Sequence, residues 1–123
     1  MYPPIATLRA RLKAATLGLA LVALAPTAAA DDVRTIEVTA NEFGFTPSRI
    51  EVDQGRTVRL RLVNRGNLSH NVHLQGGGLK TRTVQGGASD TIEFTADEAG
   101  TVRFFCNVPG HQEAGMTGRL IVD

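Results

Sequence analysis

The chain has 123 residues, 13 Lys and Arg against 12 Asp and Glu, and a single cysteine. That length holds one domain, and a charge so close to balance gives no electrostatic footprint for nucleic acid or for an anionic membrane surface. One thiol cannot form an intramolecular disulfide, so the domain is held by its core or by a bound group.

The first thirty residues read as a secretory signal peptide rather than as part of the domain. Arg9, Arg11 and Lys13 make a basic start, residues 14–25 are an apolar run, and Ala28-Ala29-Ala30 offers a small-residue cleavage site before Asp31. The apolar run is too short and wrongly flanked for a membrane span, and an uncleaved N-terminal anchor is the rival reading. No twin-arginine pair and no cysteine at the cleavage point accompany it. Without this leader the chain carries ten Lys and Arg against twelve Asp and Glu, a formal charge of −2. The expectation is an exported protein, periplasmic or extracellular, with no stable membrane insertion, whose domain is residues 31–123.

Along that domain no helical period stands out. Short runs rich in Val, Ile, Thr and Phe alternate with Gly, Asn and Asp, the pattern of a β-sandwich. Residues 35–40 alternate, with Ile36 and Val38 on one face. Phe43, Phe45, Ile50 and Val52 follow, and Pro47 among them predicts an edge or a bend. Asp53-Gln54-Gly55 is a turn. Residues 57–63 give the clearest strand, with Val58, Leu60 and Leu62 on one face and Arg59 and Arg61 on a solvated one. After a turn at residues 64–67, residues 69–74 read as a strand and residues 81–84 as a short one. Gly76-Gly77-Gly78 lacks the following helix and Lys-Ser/Thr of a phosphate-binding loop. Residues 90–95, 101–106 and 117–122 complete about seven or eight strands joined in Greek-key fashion. The expected core is Phe45, Val58, Leu60, Leu62, Ile92, Phe94, Val102 and Phe104.

The chemistry concentrates in residues 106–116, Cys-Asn-Val-Pro-Gly-His-Gln-Glu-Ala-Gly-Met. Here a thiol, an imidazole and a thioether fall within one loop, with the only cysteine and the only methionine besides Met1. A buried cysteine alone is usually a small hydrophobe, and a methionine usually fills a core gap. With His111 and Met116 at fixed offsets from Cys106, metal ligation is the stronger reading. Soft sulfur plus imidazole selects copper, and two histidines, one cysteine and a weak axial methionine make a blue-copper electron-transfer centre. The missing histidine is His70 or His73. Three positions apart on a strand, they point to opposite faces. His70 shares its face with Val72 and Leu74, which favours it as the ligand. Gly110 and Gly115 permit tight backbone turns, and Pro109 stiffens the loop.

The spacing C-x4-H-x4-M, the following Gly-Met and the upstream His70-Asn71 pair resemble the ligand segments of the cupredoxins, the single-domain type 1 copper proteins. The resemblance runs from about residue 36 to residue 122. It implies an all-β Greek-key sandwich, one copper ion cycling between Cu(I) and Cu(II), and the ligands His70, Cys106, His111 and Met116. It further implies that Asn71 ties the two ligand segments together and that the His111 edge reaches the surface through an apolar patch. Leu68, Leu79, Val108, Pro109 and Ala114 are the candidates for that patch. The expected partners are redox proteins such as a c-type cytochrome, an oxidase or a reductase docking near His111, with the carrier itself a monomer. A copper-delivery protein without redox turnover is the alternative, although its ligand set would be richer in Met and His. Enzyme readings are weaker. Three histidines cannot build a trinuclear copper cluster. A zinc hydrolase would want an open metal position and a placed carboxylate, for which Glu113 alone is available. Ser69 beside His70 is a sequence neighbour, not a catalytic triad.

Overall fold

The computed structural model describes residues 15–23 and 33–123. Residues 15–23 have no regular secondary structure and are exposed. The basic residues and the cleavage site of the predicted leader lie outside the described residues.

Eight strands make up the domain: β1 (Val33–Asn41), β2 (Gly44–Thr46), β3 (Arg49–Val52), β4 (Thr57–Asn64), β5 (His73–Leu74), β6 (Ser89–Thr95), β7 (Gly100–Phe105) and β8 (Thr117–Val122). They form two four-stranded sheets, ordered β2-β1-β4-β6 and β3-β8-β7-β5. Both sheets are mixed. β1 runs parallel to β4 and β3 parallel to β8, while the other pairs are antiparallel. The chain repeatedly passes from one sheet to the other. Pro47 sits at one such passage, between β2 in the first sheet and β3 in the second, where no ladder N–H is missed.

Alternation explains which side chains face inward. In β4, Val58, Leu60 and Leu62 are fully buried between exposed Arg59 and Arg61. Arg59 pairs with Glu93 on neighbouring β6 at 3.0 Å, which makes the outer face polar and paired. Phe104 of β7 is fully buried against Phe45, and a Cβ on Gly118 would collide with its ring. Of the expected core, Phe45, Val58, Leu60, Leu62 and Phe104 are buried, whereas Ile92, Phe94 and Val102 are only partly so. Ile92 and Phe94 lie on β6, an edge strand covered from one side.

Of two strands predicted here, one is absent and the other is shortened. Residues 81–84 contribute only an isolated bridge, Val84 to His70, and residues 69–74 reduce to the short β5. A side chain takes over one backbone group there: Val72 N–H donates to Thr81 Oγ1 at 3.0 Å, while the Thr81 backbone N–H donates to Val72 C=O at 2.9 Å.

Candidate metal centre

Cys106 is the residue immediately after β7, and residues 106–116 fold back so that β8 starts directly after Met116. The fold-back is a net of backbone bonds. Cys106 N–H donates to Met116 C=O at 3.1 Å, and Met116 N–H to His111 C=O at 3.1 Å. His111 N–H donates to Val108 C=O at 3.0 Å. Gly110 and Gly115 have φ of 84° and 116°, conformations that a side chain would strain. The loop therefore brings its cysteine, histidine and methionine back to one end of the sandwich.

His70 arrives from the β4–β5 connection. Two backbone bonds with Val84, at 3.0 and 2.9 Å, hold its position. Its Nδ1 lies 3.2 Å from His111 Nδ1, and His111 Nδ1 lies 3.6 Å from Cys106 Sγ. The donor atoms of His70, Cys106 and His111 all fall within 4.8 Å of one another, and all three residues are buried. Met116 is fully buried beside them in sequence and backbone bonding. His73 stays outside this cluster. Its ring stacks on Phe105 at 5.6 Å, and burial followed by the charge of Lys80 lowers its pKa.

Asn71 ties the two segments. Its Oδ1 accepts from Asn107 N–H at 2.9 Å, and its Nδ2 donates to Asn107 Oδ1 at 2.7 Å and to Thr83 Oγ1 at 2.8 Å. Two imidazole nitrogens and a cysteine sulfur, converging at a buried point with a buried thioether in the same loop, are the donor chemistry of one type 1 copper. The cluster fits that ion.

The turn between β1 and β2 adds two residues that sequence reasoning did not select. Phe43 sets its ring edge-on to His111, with centroids 5.2 Å apart. Glu42 Oε1 lies 2.9 Å from His70 Nε2. The Leu68 backbone N–H, above all, and His70 hold the Glu42 carboxyl down at about 2, against an opposing effect of burial. Nothing local marks either residue, since the turn precedes His70 by 28 positions.

His111 is 8% exposed, so only its edge meets solvent. Leu68 at 46% and Phe43 at 45% are the large apolar side chains exposed in the domain. Pro109 and Ala114 are exposed and Val108 partly so. Leu79 does not belong with them. It lines a separate hollow with Leu74, Phe94, Val102 and Leu120.

A sandwich of this topology with this cluster at one end defines a cupredoxin. The chain belongs to that family: the cupredoxin-like domain model matches residues 14–122. It is 30% identical to a copper-resistant cuproprotein, CopI, of Pseudomonas aeruginosa, over 79% of this chain and 80% of the relative. Among solved structures it is similar to dithionite-reduced auracyanin of Roseiflexus castenholzii, with a TM-score of 0.68 and 25% identity, covering 72% of this chain and 96% of that one. Auracyanin A of Chloroflexus aurantiacus, a blue copper protein, gives the same score and identity over 74% and 99%.

Proposed function

We propose that the protein is an exported single-electron carrier and not an enzyme, with one copper held by His70, Cys106, His111 and Met116. The observation that carries the reading is the convergence of two imidazoles and the lone thiol at one buried point. Copper in such a set supplies a one-electron Cu(II)/Cu(I) couple. The chain's own part is to hold the donors still and dry. Asn71 locks one segment to the other, the backbone net of residues 106–116 fixes the loop, and Phe43 covers one side of His111. A donor set that does not rearrange suits both oxidation states.

The His111 edge, bordered by Phe43, Leu68, Pro109 and Ala114, is the proposed contact for a redox partner such as a c-type cytochrome, an oxidase or a reductase. An exposed apolar patch marks an interaction site, and redox encounters use small, short-lived interfaces. Among the described residues, no helix is long and apolar enough to cross a membrane. The signal-like leader supports export to the periplasm or beyond.

The similarity to CopI, named for copper resistance, favours a second reading, in which the protein handles excess copper. One experiment separates the two. The copper-loaded protein is mixed with a reduced c-type cytochrome and, separately, with a Cu(I) chelator. A carrier shows an intense thiolate-to-copper band, narrow copper hyperfine splitting and rapid bleaching by the cytochrome, with copper retained against the chelator. Fast loss of copper to the chelator without electron exchange supports the second reading and sinks the first.

A further inference from the structure

The two histidines of the cluster are backed differently. Behind His70 stands a carboxylate: Glu42 Oε1 accepts from Leu68 N–H at 2.8 Å and lies 2.9 Å from His70 Nε2. Its side chain is only 25% exposed, and the His70 side chain is fully buried. The carboxylate fills the space beside Gly66 so closely that a Cβ there would collide with it. Behind His111 stands the edge-on ring of Phe43, and among the described residues no carboxylate is bonded to it. One turn, between β1 and β2, thus gives one histidine a negative charge and the other an apolar wall.

An ionised carboxylate only accepts hydrogen bonds, so His70 Nε2 carries the proton and donates. Nδ1 is then the ring nitrogen with a free lone pair, and Nδ1 is the atom that faces His111 and the cluster. A partner on the outer ring nitrogen fixes the tautomer and ring orientation and makes the inner nitrogen a stronger donor.

We infer that Glu42 is a positioning residue for the metal: through His70 it presents Nδ1 to the ion and strengthens that donor toward Cu(II) over Cu(I). The inference rests on the copper reading above. Removing such a partner typically costs about 10–100-fold in metal affinity. Cu(II), the harder ion with the higher charge, loses more than Cu(I). A roughly tenfold fall in the Cu(II)-to-Cu(I) affinity ratio raises a one-electron midpoint by about 59 mV.

Glu42→Gln is the informative variant. Oε1 takes the bonds from Leu68 and His70, so a glutamine oxygen can keep those two while the charge is removed. The test uses the full chain, native and E42Q. It records the visible spectrum with copper, the midpoint potential, the far-UV circular dichroism and, in the metal-free native protein, the tautomer of His70 by long-range proton–nitrogen NMR. The expected result is a proton on His70 Nε2, a thiolate band in both proteins and a midpoint higher in E42Q by about 59 mV. An E42Q protein with its band intact and its potential unchanged overturns this inference and leaves the copper reading standing. So does a proton on His70 Nδ1. Loss of the fold in E42Q makes the carboxylate a structural strut and overturns the inference too. A native protein without the thiolate band removes the copper reading, and this inference with it.

Discussion

Asn71 and Asn107 clasp each other across the two chain segments that carry the cluster, the side-chain amide of one meeting both the backbone N–H and the side-chain oxygen of the other at 2.9 and 2.7 Å. Thr83 joins them from a third segment. Asn71 is buried, so these groups have little water to fall back on. Asn71→Ala is expected to destabilise the metal-free protein by about 1–3 kcal/mol, the range for leaving buried polar groups unpaired. Urea unfolding followed by circular dichroism measures it. The same variant releases the Asn107 end of the loop, so copper affinity falls with stability.

One pair of variants separates packing from metal ligation at Met116. It is fully buried, so Met116→Ala opens a cavity and costs about 2–5 kcal/mol whether or not a metal binds. Met116→Leu nearly conserves volume and costs less than about 1.5 kcal/mol. If the thioether is an axial donor, the leucine variant still changes the visible spectrum, and its potential rises because a donor to Cu(II) is gone. An unaltered spectrum and potential in a well-folded Met116→Leu protein would reduce Met116 to packing.

The sequence made the strands with strict alternation legible, and for a physical reason. In β4 and β8 every second residue is buried, so the period of two is written in residue type. The region around His70 breaks that logic. Val72 finds its hydrogen-bond partner in a Thr81 hydroxyl rather than in a ladder, and His70 is anchored by a single bridge. An apolar alternation there suggested a six-residue strand, but pairing covers only His73 and Leu74. Cys106 and His111 of the cluster were legible because they sit at fixed spacing in one loop. Glu42 and Phe43 were not, since their place beside the histidines depends on how the β1–β2 turn lies over the end of the sandwich. Leu79 was misplaced for the same reason. Its type suited an exposed patch, but its pairing opposite Leu74, by a 2.9 Å backbone bond, puts it in the other hollow.

Asp90 makes stability depend on pH. The Arg82 backbone N–H, donating at 2.8 Å, and then the Arg82 guanidinium at 3.2 Å hold its carboxyl below the usual value of 3.8, against the opposing effect of burial. A carboxyl with a lower pKa folded than unfolded stabilises the fold above the unfolded value, and that stability drains away as pH falls through the folded value. The thermal midpoint of the metal-free protein should therefore exceed that of Asp90→Asn at pH 6. The gap should shrink as pH falls below the usual carboxyl value of 3.8. A gap that stays constant through that fall would mean the charge of Asp90 contributes nothing.

The proposed docking face yields the prediction most specific to electron transfer. Ala114 is exposed in the loop between His111 and Met116, its backbone N–H bonded to the carbonyls of Gly110 and His111. A charge introduced there must be desolvated on any partner that seats against the apolar border. Ala114→Asp is expected to lower the second-order rate of electron exchange with a c-type cytochrome roughly tenfold, which corresponds to about 1.4 kcal/mol. Ala114→Asn, of similar size and without charge, serves as the control for shape and should fall between the two. The thiolate band should stay in place in both variants, since the side chain of residue 114 supplies no donor. Stopped-flow mixing at fixed ionic strength measures the rates, and the salt is held constant because it screens exposed charges within about 10 Å at 0.1 M. Equal rates for all three proteins would place the docking face on another side of the sandwich while leaving the metal centre untouched.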